Sequence, residues 1–186
     1  MNSRKVNTIY WVPTALSIVA NWKVLDYVSL PYMEKVLFAG EVMPVKQLNY
    51  WRRKMPELLY ANLYGPTEVT DICAYYIVDR DFADSETLPI GRACDNCDLI
   101  ILREDGTEAA PGEIGELCVR GAFCSRRILW GIRTKTDAAF IQNPLNPWYP
   151  EKIYKTGDLV RYNDRGELLY LGAGIFRLSI WDTVLS

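Results

Sequence analysis

The first 64 residues alternate between short apolar runs and longer amphipathic stretches. An apolar, β-branched and aromatic run over 6–11 stops before Pro13 and predicts a buried strand. Thr14 is expected to cap a helix, and the second helix places Val45, Leu48 and Trp51 on one face. The pattern predicts strands at 6–11, 35–39 and 58–63 and helices at 14–24 and 44–55. Such alternation predicts a parallel sheet with right-handed crossovers, in the α/β class.

The pattern changes after about residue 71. Short apolar segments are now separated by turns rich in Gly, Pro and Asp, such as 104–106, 111–113 and 163–166. The segments at 72–78, 98–102, 115–120 and 168–171 predict strands. Closely spaced short strands favour a small antiparallel, barrel-like unit, and a domain boundary is expected near residues 79–88.

Composition narrows the classes of partner and compartment. A net charge of −2 gives no reason to expect nucleic acid or an acidic membrane as a partner. Apolar stretches are far shorter than the ~20 residues of a membrane span. Five cysteines and no signal peptide lead us to expect a reducing cytoplasm. Cys94 and Cys97 form a lone CxxC, interpreted as two incidental thiols because no second pair accompanies it.

The run Asn62-Leu63-Tyr64-Gly65-Pro66-Thr67-Glu68 carries the strongest chemical signal. Gly-Pro ends a strand and forces a tight loop, from which Thr67 and Glu68 are expected to point. An aromatic ring can stack on a base, a hydroxyl can bind a phosphate oxygen, and a carboxylate can bind Mg²⁺. The alternative is an ordinary surface turn with a capping Thr.

Three further segments, LPIGRA at 88–93, GELCVRG at 115–121 and YKTGDLVRY at 154–162, follow that run in order. Together the four segments resemble signatures of the adenylate-forming enzymes, and most closely the amino-acid adenylation domains, including D-alanine–carrier protein ligases and peptide-synthetase modules. The resemblance covers about residues 6–172. It implies the C-terminal part of a parallel αβα-layered subdomain at 1–80, then a small antiparallel barrel-like subdomain at 81–172.

The resemblance implies a site for ATP and Mg²⁺. Tyr64 would stack on adenine, Asn62 would contact its edge, and Gly65 would shape the loop. Thr67 would hold a phosphate oxygen and Glu68 would bind Mg²⁺, as the catalytic pair. Asp158, in a TGD turn, would accept hydrogen bonds from the ribose, the alternative being an Asx turn. Gly40 and Glu41 would separate adenine from substrate, or form only a turn before a helix.

The same resemblance implies two partners, a carboxylic acid and the phosphopantetheine thiol of a carrier protein. The acid's pocket would lie around Leu37, Ala39, Leu63, Asp71 and Ile72. A buried Asp71 would favour a polar group, so we expect a small or polar amino acid. The upstream phosphate loop with its Lys, and the C-terminal domain with the catalytic lysine, are not in this sequence. The chain is therefore expected to be inactive alone. Alternatives are a non-catalytic remnant or interaction module and an acyl-CoA synthetase fragment.

The tail at 173–186 departs from the family. One added nucleotide after the codon for Gly172 permits the reading Gly-Arg-Arg-Asp-Phe-Gln-Ile-Lys, which is the hinge motif of the family. We therefore interpret the tail as a frameshifted translation. Residues 124–135 suggest a similar, weaker disturbance, the alternative being a divergent exposed loop.

Overall fold

The structure is a computed structural model, and it describes residues 1–95, 97–121 and 139–174. It divides into two compact units. The first unit contains residues 1–64 and 75–91, and the second contains residues 65–74 and those from 92 onward. The chain thus passes into the second unit for the loop at 65–74 and returns. The domain division at residue 80 stays a prediction.

The sheet of the first unit confirms the predicted parallel arrangement. Its first three strands are β1 (Thr8–Trp11), β2 (Lys35–Phe38) and β3 (Leu59–Tyr64), paired in parallel in the order β1-β2-β3. Strand β4 (Ala74–Ile77) neighbours β3. The register aligns Ile9, Val36 and Tyr60, which are all buried.

Two helices cover the face of the sheet that carries those buried residues. They are α1 (Pro13–Asn21) and α2 (Val45–Lys54). The predicted face of α2 is confirmed, since Val45, Leu48 and Trp51 are buried in the core with Val36 and other strand residues. The Trp51 indole N–H donates to the Leu16 carbonyl at 3.0 Å, which fastens α2 to α1.

The predicted start and end of the first helix were wrong. Val12, not Thr14, is the N-cap residue, and Pro13 occupies the first turn, where its missing N–H costs nothing. The helix ends at Asn21 because Lys23 adopts a left-handed conformation with φ 52°, which starts a separate 3₁₀ turn at Val24–Asp26.

The second unit is a curled antiparallel sheet, which confirms the barrel-like prediction. Its strand order is β10-β9-β7-β6, with β8 paired to β9. The strands of this sheet are β6 (Cys97–Leu102), β7 (Gly115–Gly121), β8 (Phe140–Gln142), β9 (Lys152–Tyr162) and β10 (Leu168–Ala173). The two-residue strand β5 (Arg92–Ala93) precedes them and lies outside this sheet. Leu117, Val119, Ile153 and Val160 are fully buried.

Two sequence predictions fall largely outside the described residues. The segment 124–135 lies wholly outside them, as does the predicted frameshifted tail from residue 175 onward. Ala173 ends β10 opposite Asp158, and the Gly174 N–H donates to the Gly157 carbonyl at 2.6 Å. Across the described ranges, we find no helix with the length and apolarity needed to cross a membrane.

Candidate functional site

The loop that follows β3 is a tight, self-contained turn in the second unit. A 3₁₀ helix spans Thr67–Val69, begins after Pro66 and ends at Thr70, where φ is 59°. Asp71 follows with φ 80°, so the chain reverses direction. A Cβ on Gly65 would lie 2.3 Å from the Asp71 carbonyl oxygen. Only glycine therefore permits the start and end of this loop to approach so closely.

The loop presents its polar side chains outward around one apolar anchor. Val69 is fully buried, whereas Thr67 is exposed and Glu68 is half-buried. A hydroxyl and a carboxylate on a fixed turn are thus accessible to a ligand. Tyr64, the predicted stacking ring, ends β3 in the first unit and is half-buried.

Asn62 holds a neighbouring segment of the first unit. Its side chain is 6 % exposed, and its amide nitrogen donates to the Pro89 carbonyl at 2.8 Å. Leu88 and Ile90 on either side of Pro89 are buried. This contact joins two of the sequence motifs, a link that the local pattern could not reveal because the residues are 27 positions apart.

The predicted TGD turn is wrong, because Asp158 lies inside the 11-residue strand β9. Gly157 has φ 74°, and the pairing with β7 shifts register between Glu116 and Cys118. This is a β-bulge, in which extra residues of one strand leave the ladder and the strand bends locally. Asp158 is only 1 % exposed at this bulge.

Side chains from β7 and β9 fix the bulge. The Thr156 hydroxyl donates to the Leu117 carbonyl at 2.8 Å and accepts the Asp158 N–H at 3.1 Å. One Glu116 carboxylate oxygen accepts the Gly157 N–H at 3.1 Å, and the other pairs with Lys155 at 2.8 Å. Sequence reasoning missed these supporting roles of Glu116 and Thr156, although both lie inside the recognised motifs.

Gly40 and Glu41 are exposed in the first unit, and Gly40 has φ 89°. One Glu41 carboxylate oxygen accepts the Thr14 N–H at 2.9 Å and also the Thr14 hydroxyl. A carboxylate at a helix N-terminus satisfies a free N–H and complements the helix dipole. Glu41 therefore fixes the start of α1, a contact that the sequence did not predict.

The predicted acyl-pocket residues are divided between the units. Leu37 and Leu63 are half-buried and Ala39 is buried in the first unit, while Asp71 and Ile72 belong to the second. Leu37 pairs in register with Ala61, and it alternates along β2 with the core residues Val36 and Phe38. The expectation of a buried Asp71 was wrong: its left-handed backbone turns the residue to solvent, and it is exposed.

Within the described ranges, no three acidic or cysteine side chains are placed to hold a metal ion by themselves. Protein-bound Mg²⁺ at a nucleotide commonly takes one or two carboxylates, with phosphate oxygens and water completing the shell. The accessible Glu68 carboxylate fits that donor set.

The sequence of the chain matches a known protein family. The sequence model described as "AMP-binding enzyme" matches residues 1–129, which is more than half of the chain. The chain therefore belongs to the AMP-binding enzyme family, and the resemblance to adenylation domains is confirmed.

Two curated relatives show the range of the family. The chain is 34 % identical over 140 residues to Gramicidin S synthase 2 of Brevibacillus brevis, covering 75 % of this chain and 3 % of that protein. It is 34 % identical over 152 residues to D-alanine--D-alanyl carrier protein ligase of Bacillus cytotoxicus, covering 81 % and 29 %. The chain thus spans less than a third of either relative.

Solved structures agree with the fold. CmiS6 is 26 % identical with a TM-score of 0.79, over 91 % of this chain and 41 % of that one. PA1221, an NRPS protein containing adenylation and PCP domains, is 26 % identical with a TM-score of 0.80, over 92 % and 34 %. These neighbours share the mixed α/β architecture described above.

Proposed function

We propose that this chain is part of an ATP-dependent, amino-acid-activating ligase and supplies a portion of its nucleotide site. The observation that carries the proposal is the loop at 65–74, which presents Thr67 and Glu68 from a turn that only glycine at position 65 allows. The family match and the resemblance to peptide-synthetase adenylation domains support the reaction class.

In this proposal the Thr67 hydroxyl donates a hydrogen bond to a phosphate oxygen of ATP, and the Glu68 carboxylate binds Mg²⁺. When bound, Mg²⁺ reduces the repulsion between the attacking carboxylate and the triphosphate. The fixed 3₁₀ turn matters because both groups are oriented before ATP arrives, which lowers the entropic cost of binding. Tyr64 stacks on adenine, and Asn62 contacts the edge of that base.

Asp158 accepts hydrogen bonds from the ribose hydroxyls in the same proposal. A carboxylate can accept from two neighbouring hydroxyls at once, which suits a cis-diol. The bulge would hold it for this purpose, since Glu116 and Thr156 fix the backbone on both sides of Gly157. Gly40 and Glu41 would separate the adenine from the acid.

We further propose an amino acid as the acid and a carrier-protein phosphopantetheine as the acceptor of the acyl group. The first rests on likeness to peptide synthetases, and the second on likeness to a carrier protein ligase and to PA1221. Leu37, Ala39 and Leu63 of the first unit would line the acid pocket. The location would be the cytoplasm, and the chain alone would not complete the reaction.

Calorimetric titration of the purified chain with ATP and Mg²⁺ tests the nucleotide role. We expect saturable binding that is lost or weakened at least tenfold in Glu68→Gln, which removes a charge without changing the size of the side chain. Glu104→Gln is the matched control, because Glu104 is an exposed carboxylate in a turn of the same unit. It should bind ATP as the wild type does.

The outcomes separate this proposal from its alternatives. No binding by a chain with a cooperative melt would favour a non-catalytic remnant or interaction module. Equal weakening by both substitutions would show a nonspecific charge effect and contradict the role of Glu68. Pyrophosphate exchange by a complete adenylation enzyme that includes this chain would separate amino acids from the fatty or aryl acids of an acyl-CoA synthetase.

A further inference from the structure

The loop that joins β8 to β9 presents two aromatic rings to solvent. Trp148 is 87 % exposed, and Tyr149 beside it is also exposed. The Gln142 side-chain amide donates to the Asn146 carbonyl at 3.1 Å and to the Tyr149 carbonyl at 3.2 Å. The Asn146 side-chain oxygen accepts the Trp148 N–H at 3.2 Å. The loop backbone is thus fixed before any partner arrives, which lowers the entropic cost of binding through these rings.

An acidic turn lies against this loop. A Cβ on Gly106 would lie 3.6 Å from the side chain of Pro144, so the turn at 103–108 touches the loop at 143–150. In that turn three carboxylates stand against the single guanidinium of Arg103. The acidic aromatic surface of the second unit consists of Glu104, Asp105, Glu108, Leu145, Trp148 and Tyr149, all of which are exposed.

The first unit exposes aromatic rings among cations instead. Trp22, which follows the last residue of α1, is 76 % exposed, and Tyr27 is 87 % exposed. Lys23 lies between them, exposed and with a left-handed backbone at φ 52°. The neighbouring Asp26 carboxylate already pairs with the Lys54 ammonium at 2.9 Å. Its negative charge is therefore offset within the surface.

The N-terminal 3₁₀ turn adds two further cations to this side of the first unit. The Asn2 side-chain amide donates to the Ser29 carbonyl at 2.9 Å, which fastens the turn to the segment after Tyr27. The Lys5 ammonium lies 5.8 Å from the centre of the Tyr32 ring. The basic aromatic surface of the first unit consists of Arg4, Lys5, Trp22, Lys23, Tyr27 and Tyr32, all of which are exposed.

We propose that copies of this chain associate head to tail, with the basic aromatic surface of one copy on the acidic aromatic surface of another. Opposite charges steer the two surfaces together and fix their orientation. Exposed Trp and Tyr are the residue types that carry much of the binding energy at protein interfaces, and cations of one surface can lie over rings of the other. A symmetric contact would place like charges together, so the contact is heterologous.

Sedimentation of the purified chain at several protein and salt concentrations tests the association. The average mass should rise with protein concentration at low ionic strength and return to the monomer mass at high salt, because salt screens exposed charges. Association through the apolar face or the edge of the parallel sheet would persist at high salt, and that result would overturn the proposal. A chain that stays monomeric throughout would also overturn it.

Charge reversal identifies the two surfaces. Lys23→Glu and Glu104→Lys should each weaken self-association at least fivefold, whereas a mixture of the two variants should restore it, because the reversed surfaces match each other. Lys46→Glu and Glu57→Lys are the matched controls, since they make the same charge changes at exposed positions outside both surfaces. They should associate as the wild type does. Failure of the mixture to restore association, or equal weakening by the controls, would overturn the proposal.

The exposed tryptophans provide a second comparison. Trp148→Ala and Trp22→Ala remove one ring from each surface and should each weaken association at least fivefold, while their equimolar mixture should form the one contact that retains both rings. The inference concerns these surfaces alone, so it holds or fails independently of ATP binding. Unchanged association of both variants would contradict it.

Discussion

Substitution of Gly65 by Ala is expected to distort the loop at 65–74, because there is no space for the added methyl group. The new Cβ would lie 2.3 Å from the Asp71 carbonyl oxygen, 2.7 Å from the Ile72 Cα and 2.8 Å from the Cys73 nitrogen. Cβ contacts below 3.0 Å are essentially never seen in proteins. All three obstacles are backbone atoms, so no side chain can rotate away to relieve the clash.

The size of the effect follows from this rigidity. Overpacking by a methyl group costs about 1–3 kcal/mol, and we expect the upper end because the backbone itself must move. Gly112→Ala is the matched control in the same unit: its φ is +87°, but nothing lies within 4 Å of the added Cβ. It should cost only the left-handed strain of a non-glycine residue, roughly 1 kcal/mol.

Urea denaturation followed by circular dichroism measures both variants. A loss of about 3 kcal/mol should lower the urea midpoint by roughly 1–3 M, since m is about 1–3 kcal/mol/M for small proteins. Gly112→Ala should shift it by less than half as much. Equal stability of the two variants would refute the close approach described at Gly65, and with it the fixed geometry proposed for Thr67 and Glu68.

Three further predictions follow from other parts of the molecule. Trp51→Phe should lower the free energy of unfolding by about 2–4 kcal/mol, because it leaves a cavity and an unpaired Leu16 carbonyl. The control is Trp22→Phe at a 76 % exposed position, which should change the free energy of unfolding by under roughly 0.5 kcal/mol. Similar melting of the two variants would contradict the assigned packing. Glu151→Gln should be destabilising at pH 7, because a hydrogen bond from Asn143 lowers the pKa of Glu151 below its ordinary value of 4.5. Because the pKa of Glu151 is lower in the folded state, its carboxylate stabilises the fold above pH 4.5, and this stabilisation is lost as the pH falls through the folded-state pKa. The melting temperatures of wild type and variant should therefore converge in acid. A difference that persists there would contradict the assignment. Sequencing of the genomic locus should show a hinge motif in the alternative frame beyond the codon for Gly172, and an undisturbed frame without that motif would remove the frameshift interpretation.

The fold was predictable wherever one element's own periodicity determines its buried face. Val45, Leu48 and Trp51 recur at helical spacing, and all three are buried. The parallel strands were predictable because each is an apolar run followed by an amphipathic segment. Strand β9 was not, because a Gly-Asp pair is typical of a turn, and only the contacts of Glu116 on β7 and of Thr156 on β9 itself show that the glycine forms a bulge.

The candidate site was predictable in its residue types but not in its internal contacts. The order Gly-Pro-Thr-Glu indicates a loop with a hydroxyl and a carboxylate, and the structure has one. The bonds from Asn62 to Pro89 and from Thr14 to Glu41 each join residues 27 positions apart. The local sequence around one partner does not identify the other, because such pairs form only where the folded sheet brings distant parts of the chain together.

Photolabelling with 8-azido-ATP and Mg²⁺, followed by mapping of the labelled peptide, locates the nucleotide on the chain. The label should lie on the peptide containing Tyr64, and excess ATP should prevent the labelling. A cleft beside Arg52 and Arg53 on α2, which Asp81 also lines, is a competing place for a nucleotide in the first unit. Labelling of that cleft, with no label near Tyr64, would contradict the proposed nucleotide site.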